Sequence, residues 1–449
     1  MRRLLPFAIV LLPSFVSAQY GAGMAGSTYE GVWGLGSQPA SILLGTDKAE
    51  INVLRFGADL NSSYFYFAQQ QLGLFGYGNR VQVNTNDAEL AAIGTTDRAV
   101  GLDLRVMGPS FSKRIGEHSA VAFSTGIRGS FVAMDLDQLA RKFGVDTIRI
   151  EPGRSRRMEE IALRSATIGW AEIGPSFGHS FPVGNRIRLH TAVSAKHAMG
   201  LFADQATTRP PLLSGLGGDV QSITQVELDH ALAMPARDEG LGGWITGNGW
   251  NADAGAVLEI LGQDSSGNGN YKFRIGAAVT DLGFIHFNKH TTVSSVRNGT
   301  TTVDELNDFS IQGIEQLDTA LSRILLGDPM ASRKGTSFRM GLPAAAHFSV
   351  DYSPVPHVAI RAEAMLGLRS APADAAVRDQ LSIAPRFETR NFSVAVPFSM
   401  DRFNAPVVGL ALRVCGFMVG SDRIGGLFGL NQVSGADLYF GVKVRLKGK

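Results

Sequence analysis

The sequence has 449 residues, with 42 Lys and Arg, 40 Asp and Glu, and a single cysteine. Such a nearly neutral chain lacks the basic surface that nucleic-acid binding requires, and one cysteine cannot form an internal disulfide. Its 53 glycines exceed average usage, which is typical of tight turns and bent strands.

The first 18 residues predict a signal peptide. An arginine pair precedes an apolar run that ends at Val16, and the small residues up to Ala18 form a cleavage site. The run is too short to span a membrane as a helix. We therefore expect export, cleavage after Ala18, and one mature domain over 19–449. Its first segment, 19–50, is expected to be lumenal or periplasmic.

Alternating apolar and polar residues recur along the mature chain. In "AVGLDLRV", for example, Leu102 and Leu104 alternate with Asp103 and Arg105. The alternating runs lie near 51–59, 63–72, 99–106, 118–132, 165–181, 186–200, 249–261, 271–281, 336–352, 357–369, 379–389, 390–400, 405–419 and 435–446. Many approach the ~9–11 residues that cross a bilayer on a tilt, whereas strands of soluble sandwiches usually have ~5–6.

A hydrocarbon environment permits no open sheet edge, so these runs predict a closed transmembrane antiparallel β-barrel of about 14 strands. An exported soluble β-protein is the competing interpretation. Aromatic residues near strand ends suggest interfacial girdles: Tyr64, Phe65, Tyr66, Phe67, Tyr271, Tyr352, Tyr439 and Phe440. The predicted lipid-facing residues include Leu102, Leu104, Ile187, Leu189, Ile360, Val442 and Val444. The last run, 435–446, is expected to close the barrel against 51–59.

Longer inserts between the runs carry helical patterns. A capping box at Thr302 and the stop at Gly327 predict a helix over 303–326, with a stripe of Ile314, Leu317, Leu321 and Ile324. Two shorter helices are expected at 134–144 and 154–166. We expect these short helical inserts to cap or plug the barrel. In this strand count the long inserts share the side of the termini, which reverses the usual rule. Either the barrel is unusual or a strand near the N-terminus has been missed.

Several blocks resemble one protein family in their order along the chain. They include "LGSQPASILLGTDKAEINVLRFGADL", "GNGWNADAGAVLEI", "YKFRIGAAVTDLGFI" and "ADLYFGVKVRLK". They are similar to a Bacteroidota outer-membrane β-barrel family known as domain-of-unknown-function family 5723. In that family's N-P-A-S-like turn, Gln38 replaces the asparagine. The resemblance implies a barrel in the broad class of the fatty-acid transporter and the secretion-shuttle barrel, and supplies no catalytic residues.

The sequence predicts no catalytic residue, cofactor or metal site, and thus no enzyme. "GAGMAG" lacks the strand and helix context of a nucleotide-binding loop. The strand faces opposite the apolar ones are rich in cations and predict a basic lumen. These candidate lumen-lining residues are Arg105, Arg128, Arg186, Arg188, Lys196, Lys272, Arg274, Arg361, Arg369, Arg386, Arg413, Lys443 and Arg445.

Two functions remain open at this point. The first is an outer-membrane barrel that passes or binds small solutes through a basic lumen. The second is a non-conducting, plugged barrel that serves as anchor or partner for envelope or secretion proteins. Expected partners are outer-membrane lipid, the barrel-assembly machinery during biogenesis, and either a small solute or an envelope protein; nucleic acid is not expected.

Overall fold

The computed structural model of the chain describes most of the mature sequence. Its described residues are 21–45, 47–62, 65–67, 81–83, 99–134, 149–150, 155–157, 164–209, 212–216, 218–262, 271–302, 316–369, 375, 377, 379–401, 406–425 and 435–446. The predicted signal peptide lies outside them.

The strands are given in chain order. The first half comprises β1 (Ala49–Ser62), β2 (Phe65–Phe67), β3 (Val81–Val83), β4 (Ala99–Met107), β5 (Ser110–Ile115), β6 (Ser119–Met134), β7 (Arg149–Ile150), β8 (Ser155–Arg157), β9 (Arg164–Val183), β10 (Ile187–Arg209), β11 (Leu212–Leu216), β12 (Gly218–Ala233) and β13 (Gly247–Leu261). The second half comprises β14 (Tyr271–Phe287), β15 (Thr291–Thr302), β16 (Arg333–Gly335), β17 (Phe338–Gly341), β18 (Ala345–Val355), β19 (Val358–Gly367), β20 (Gln380–Glu388), β21 (Phe392–Ala395), β22 (Phe398–Asp401), β23 (Val407–Val408), β24 (Leu410–Val414), β25 (Phe417–Ser421) and β26 (Gly435–Leu446). One α-helix, α1, spans Leu317–Leu326, and short 3-10 helices span Gly31–Gly36, Pro39–Leu43 and Arg237–Trp244.

A closed antiparallel barrel of 14 wall strands is the centre of the fold. The wall strands are β1, β4 with β5, β6, β9, β10, β13, β14, β17 with β18, β19, β20, β21 with β22, β23 with β24, β25 and β26. The first and last strands pair, with Ile51 opposite Val444, and this pairing joins the two ends of the sheet. The predicted closed barrel and its closing pair are confirmed.

Two errors in the predicted strands cancel in the count. The run at 63–72 is not a wall strand, because β2 pairs with β3 in a separate two-stranded sheet. The rest of that run lies outside the described residues. The run at 405–419 contains two wall strands, because the chain turns between Val414 and Phe417.

The corrected strand order also removes the predicted reversal of the inserts. The short turns at 116–118, 184–186 and 356–357 lie at the end of the barrel where Ala49 pairs with Leu446, here called the terminal end. The long connections lie at the opposite end, here called the mouth end. That is the usual arrangement in outer-membrane barrels. The reversal arose because one strand too many had been counted near the N-terminus.

Strand alternation places large apolar side chains on the outside of the wall. Ile360, Val442 and Val444 are 43%, 38% and 49% exposed, as predicted. The other members of that predicted set are half-buried: Leu102, Leu104, Ile187 and Leu189. The wall therefore presents an apolar outer face, although its members differ in exposure.

Two aromatic residues predicted for the membrane interface are buried in the interior instead. Tyr271 donates a hydrogen bond to Asp351 Oδ1 at 2.8 Å, and Tyr439 donates one to Asp422 Oδ1 at 3.0 Å. The exposed aromatic residues at the terminal end include Phe111, Phe177, Phe181, Phe273, Phe387, Phe392 and Phe417.

An insert of strands and a helix extends the barrel at the mouth end. Beyond the wall, β10 pairs with β12 instead of β13, β12 pairs with β15, and α1 packs on β15. The helix ends at Gly327, whose φ of 78° is left-handed, as the predicted stop requires. The predicted start of this helix lies outside the described residues. Its buried side chains are Asp318, Ser322 and Leu325, whereas Leu321 and Ile324 are only half-buried.

The structure describes different parts of the two shorter predicted helices. Most of 134–144 lies outside the described residues. The prediction of a helix at 154–166 is wrong in its described part, because β8 occupies 155–157 and β9 begins at Arg164. No helix in the described ranges is long and apolar enough to cross a membrane.

His230 on β12, which is not a wall strand, anchors α1 to the insert. Its Nδ1 lies 2.6 Å from Asp318 Oδ1 and its Nε2 lies 3.0 Å from Asp204 Oδ1. Burial lowers the pKa of His230, but the hydrogen bonds to Asp204 and Asp318 outweigh it and raise the pKa to about 9. The imidazolium therefore bridges two carboxylates at neutral pH.

The register of the closing pair can be tested by cross-linking. In a Cys415→Ser background, the pair Ile51→Cys and Val444→Cys should form a disulfide, because the two residues lie directly opposite each other. The offset pair Ile51→Cys and Leu446→Cys should not. Mass spectrometry of the linked peptides measures both. A linked offset pair with an unlinked direct pair would show that the register is wrong.

Docking of α1 should weaken as the pH rises through about 9. The stabilisation from a raised histidine pKa is fully present below the unfolded value of about 6.5 and is lost above the folded value. A spin label at Thr319→Cys, on the exposed face of α1, should become more mobile over that range. With His230→Gln the label should be mobile at every pH. If the mobility of the label did not change with pH in the protein that retains His230, the role of His230 would be contradicted.

Candidate functional site

Residues 21–45, here called the plug, lie inside the barrel. Its second 3-10 helix begins at Pro39, and the Gln38 side chain accepts a hydrogen bond from Ala40 N at 3.2 Å. The same side chain donates to the carbonyl oxygens of Ala256 and Ala277, each at 3.3 Å. Gln38 therefore both caps the helix and binds the wall. It occupies the position of the asparagine in the N-P-A-S-like turn described above.

Lys443 on β26 holds the middle of the plug. Its Nζ donates to the carbonyl oxygens of Tyr29 and Glu30 at 2.7 and 2.8 Å, and to Glu50 Oε1 at 2.9 Å. The other oxygen of Glu50 accepts from Val32 N at 2.9 Å. One wall ion pair thus binds three successive points of the plug backbone.

A second group of wall residues holds the start of the plug. Glu388 accepts from Ser27 Oγ at 2.7 Å and from Thr28 Oγ1 at 3.1 Å. Arg386 Nη2 donates to Gly26 O at 3.1 Å and to Asp351 Oδ2 at 2.7 Å. Carboxylates and guanidinium groups of the wall therefore satisfy both side chains and carbonyls of the plug.

A third group of buried charges belongs to the wall alone. Five consecutive wall strands contribute Arg128, Glu172, Lys196, Asp253 and Asp281. Arg128 donates to Asp281 through Nη1 and Nη2 of its guanidinium group, at 2.6 and 2.7 Å. Lys196 Nζ lies 2.8 Å from Asp253 Oδ2 and 3.5 Å from Glu172 Oε1. This wall network pairs its cations without any contribution from the plug.

A serine, a histidine and a glutamate also meet inside the barrel near the terminal end. Ser180 Oγ lies 2.7 Å from His190 Nδ1, and His190 Nε2 lies 3.4 Å from Glu259 Oε2. Arg274 holds the other oxygen of Glu259 at 2.8 Å. All three side chains are buried, so a substrate carbonyl could reach Ser180 only after the surrounding wall or plug had moved. We assign this group a structural role.

The thirteen cations predicted for the lumen fall into three classes. The buried ones are Arg128, Lys196, Arg274, Arg361, Arg386, Arg413 and Lys443. The half-buried ones are Arg105, Arg188, Lys272, Arg369 and Arg445. Arg186 is exposed in the turn at 184–186, outside the lumen.

The half-buried cations also have partners. Lys272 Nζ donates to Pro354 O at 3.1 Å, Arg369 Nη2 to Gly283 O at 2.8 Å, and Arg445 Nη1 to Arg390 O at 2.6 Å. Arg188 Nη1 lies 3.9 Å from Glu259 Oε2. Arg105 borders a cavity described below.

The predicted basic excess does not occur in the described interior, where buried acidic side chains outnumber buried basic ones. The acidic residues are Glu30, Asp47, Glu50, Asp59, Asp253, Glu259, Asp281, Asp351, Glu388, Asp422 and Asp437. The sequence analysis missed Asp351, although it alternates with outward residues. It also missed Asp281, whose φ of 58° departs from regular alternation. The plug contributes carbonyl oxygens that strand patterns cannot reveal.

A cavity of about 90 Å³ lies between the plug and the inner wall. Its lining is mostly apolar and includes Trp33, Leu35, Gly36, Arg55, Gly57, Arg105, Val106, Met107, Arg128, Glu172, Lys196 and Tyr439. A space of this size holds several waters or a small organic group. Within the described ranges, no group of three or more His, Cys, Asp and Glu side chains could hold a metal ion.

Comparison with known proteins identifies a family and several remote structural similarities. The model of a family of unknown function, DUF5723, matches residues 47–422. No curated protein sequence matches significantly. A Pseudomonas aeruginosa FadL homologue is similar at a TM-score of 0.44 and 12% identity, covering 96% of this chain and 98% of its own.

Two toluene transporters are also similar. TbuX of Ralstonia pickettii has a TM-score of 0.40 and 12% identity, covering 94% of this chain and 96% of its own. TodX of Pseudomonas putida has a TM-score of 0.37 and 10% identity, covering 96% of both chains. At such TM-scores the similarities do not indicate what this chain binds or transports.

Replacing Lys443 should destabilise the protein. Lys443→Met leaves Glu50 without its cation in the interior, and removing one partner of a buried pair typically costs about 3–5 kcal/mol. Denaturant unfolding in detergent micelles measures this cost. Lys113→Met, at an exposed site, should change the free energy of unfolding by less than about 0.5 kcal/mol. The double variant Lys443→Met, Glu50→Leu should recover part of the loss. Equal stabilities of the two single variants would rule out the anchoring role of Lys443.

Proposed function

This chain belongs to the DUF5723 family of unknown function, and we propose that it is an outer-membrane barrel closed by its own plug. In this proposal a small solute binds in the cavity beside the plug and passes only when the plug moves. The attachment of residues 21–45 to the inner wall is the observation that carries the proposal.

The dimensions of the outer face support a membrane-spanning position. On β13, Trp250 is 67% exposed and lies opposite Phe284, near the mouth end. Near the terminal end, Ile260 of the same strand lies opposite Phe273, ten residues further along. Ten residues of antiparallel strand span about 34 Å, which at a tilt near 45° gives about 24 Å of height. That value matches the apolar band of about 25 Å in membrane barrels.

The plug attachments account for closure. Plug groups bind Glu388 and Arg386 on β20, and Glu50 and Lys443 at the seam between β1 and β26. Ala22 N, at the start of the plug, donates to Asp422 Oδ2 at 2.8 Å. On the opposite side of the barrel the Gln38 side chain donates to carbonyl oxygens of β13 and β14. The plug is therefore held across the interior rather than along one side.

The cavity supports binding of a small, partly apolar solute. Trp33, Leu35 and Met107 supply apolar surface, while Arg55 and Arg105 stand on adjacent wall strands. Because plug residues form part of the lining, displacement of the plug would enlarge the cavity and connect it with the rest of the interior. A solute passage would therefore be coupled to plug movement.

The second candidate is a permanently closed barrel that anchors other envelope proteins. The wall network around Arg128 and Asp281 favours it, because buried ion pairs of this kind fill space that a permanent channel would need. The two candidates differ in one measurable property, which is whether the plug ever opens a conducting path.

Single-channel recording in planar bilayers tests the proposal with a locked plug. In a Cys415→Ser background, Gly23→Cys and Ala411→Cys should form a disulfide between plug and wall. A Cβ at Gly23 would lie 2.7 Å from Ala411 Cβ, so the plug backbone must shift by about 1 Å to reach the roughly 3.5–4.5 Å of a disulfide. We expect transient openings in the reduced protein and none in the oxidised protein. A variant lacking residues 21–45 should conduct continuously.

The matched control places a disulfide within the wall. Phe177→Cys and Val193→Cys lie opposite each other on β9 and β10, at exposed positions of the outer face, and leave the plug untied. Oxidation of this pair should not change the openings. Openings that survive the plug lock would exclude gating by the plug. A folded protein that stays silent in every state, including without the plug, would support the anchoring role instead.

A further inference from the structure

A cluster of basic side chains lies on the outer face at the mouth end, where the apolar surface ends. On β14, Leu282 is 48% exposed and Phe284 half-buried, whereas Ile285 and Phe287 are fully buried on the inward face. The next outward residue, His286, is exposed. The outward face of this strand therefore changes from apolar to polar within one alternation.

The neighbouring strand supplies a guanidinium group at the same level. Arg339 on β17 lies directly opposite His286 and is exposed. Its guanidinium carbon is 3.2 Å from the centroid of the Phe284 ring. Stacking on an aromatic ring holds the guanidinium group while leaving its N–H donors directed to the surroundings.

Lys289 supplies an ammonium group, in the turn that follows β14. Its backbone N–H donates to Thr246 O at 3.1 Å, which fixes the turn, and its side chain is exposed. Within the described ranges, the side chains of His286, Lys289 and Arg339 form no salt bridge. They are therefore available to an anion from outside the chain.

We propose that His286, Lys289 and Arg339 bind the phosphate of an anionic membrane lipid, whose headgroup carries a net negative charge. The inference rests on the membrane-spanning position argued above, and not on plug gating. Phosphate is the anion that a fixed guanidinium group, a nearby ammonium group and an imidazole N–H match. The apolar residues immediately below, Leu282 and Trp250, would contact the acyl chains of the same lipid. That continuity favours a lipid over free phosphate.

Trp250 provides a local probe, because it lies directly opposite Phe284. The protein is reconstituted in vesicles that contain dibrominated phosphatidylglycerol or dibrominated phosphatidylcholine. Quenching that is lost in Trp250→Phe isolates the signal of this residue. We expect phosphatidylglycerol to be preferred at Trp250, and each cation removed should lower that preference by about fivefold.

A matched pair of double variants separates a site from general charge. Lys289→Gln with Arg339→Gln should remove most of the preference at Trp250. Lys48→Gln with Lys113→Gln, which removes the same charge at the terminal end, should leave it unchanged. Arg339→Gln alone should give a smaller loss of the lipid preference, and it replaces the double variant in the test if the double variant does not fold. Equal losses in both double variants, or no preference in the unchanged protein, would overturn the proposal.

Inorganic phosphate distinguishes the two sources of the anion. Excess phosphate at constant ionic strength should leave the lipid preference intact, because the acyl chains add contacts that the free ion lacks. Loss of the preference would identify a free-phosphate site and refute the lipid assignment. The same vesicles show by heat-modifiable migration on gels whether the barrel is folded, so failure of the membrane barrel itself would be recognised separately.

Discussion

Charged groups enclosed by the barrel wall have little access to bulk water, and the arrangement of the interior follows from this constraint. An isolated buried charge costs several kcal/mol unless counter-charges or hydrogen bonds replace its hydration. Arg413 shows one solution, since its guanidinium group donates to the carbonyl oxygens of Thr389, Arg390 and Cys415 at 2.6, 2.9 and 3.2 Å. The turn at the terminal end thus supplies three of the acceptors that replace water around this guanidinium group.

The plug contributes to the same balance through its backbone. Its two 3-10 helices are short, so many of their peptide groups remain available to wall side chains. Lys443 and Arg386 use such carbonyls as acceptors. A segment without strand structure can therefore be as firmly attached as a strand, because its peptide groups replace the water around wall cations. Sequence periodicity does not predict these acceptors, because every residue carries a backbone carbonyl group whatever its side chain.

Alternation in the sequence was sufficient to predict the wall strands but not the points at which they are interrupted. The long runs and the closing pair were predictable, because lipid outside and polar groups inside impose a period of two residues. Prediction failed where the chain departs from extended geometry. Cys415 has a φ of 55° and turns the chain between β24 and β25, and Asp281 has a φ of 58° inside β14. The described part of the alternating run at 63–72, residues 65–67, belongs instead to a small separate sheet. The acidic partners were harder to predict, because pairing across several strands depends on register.

Movement of the plug would affect the two sides of the interior differently, because some wall charges bind only other wall residues and some also bind the plug. The pairs of Arg128 with Asp281 and of Lys196 with Asp253 join wall to wall, so they would persist without the plug. Lys443 would lose two of its carbonyl acceptors. Its pair with Glu50 would remain, because both residues belong to the wall. Departure of the plug would therefore expose polar groups at the β26 side without leaving a cation unpaired there.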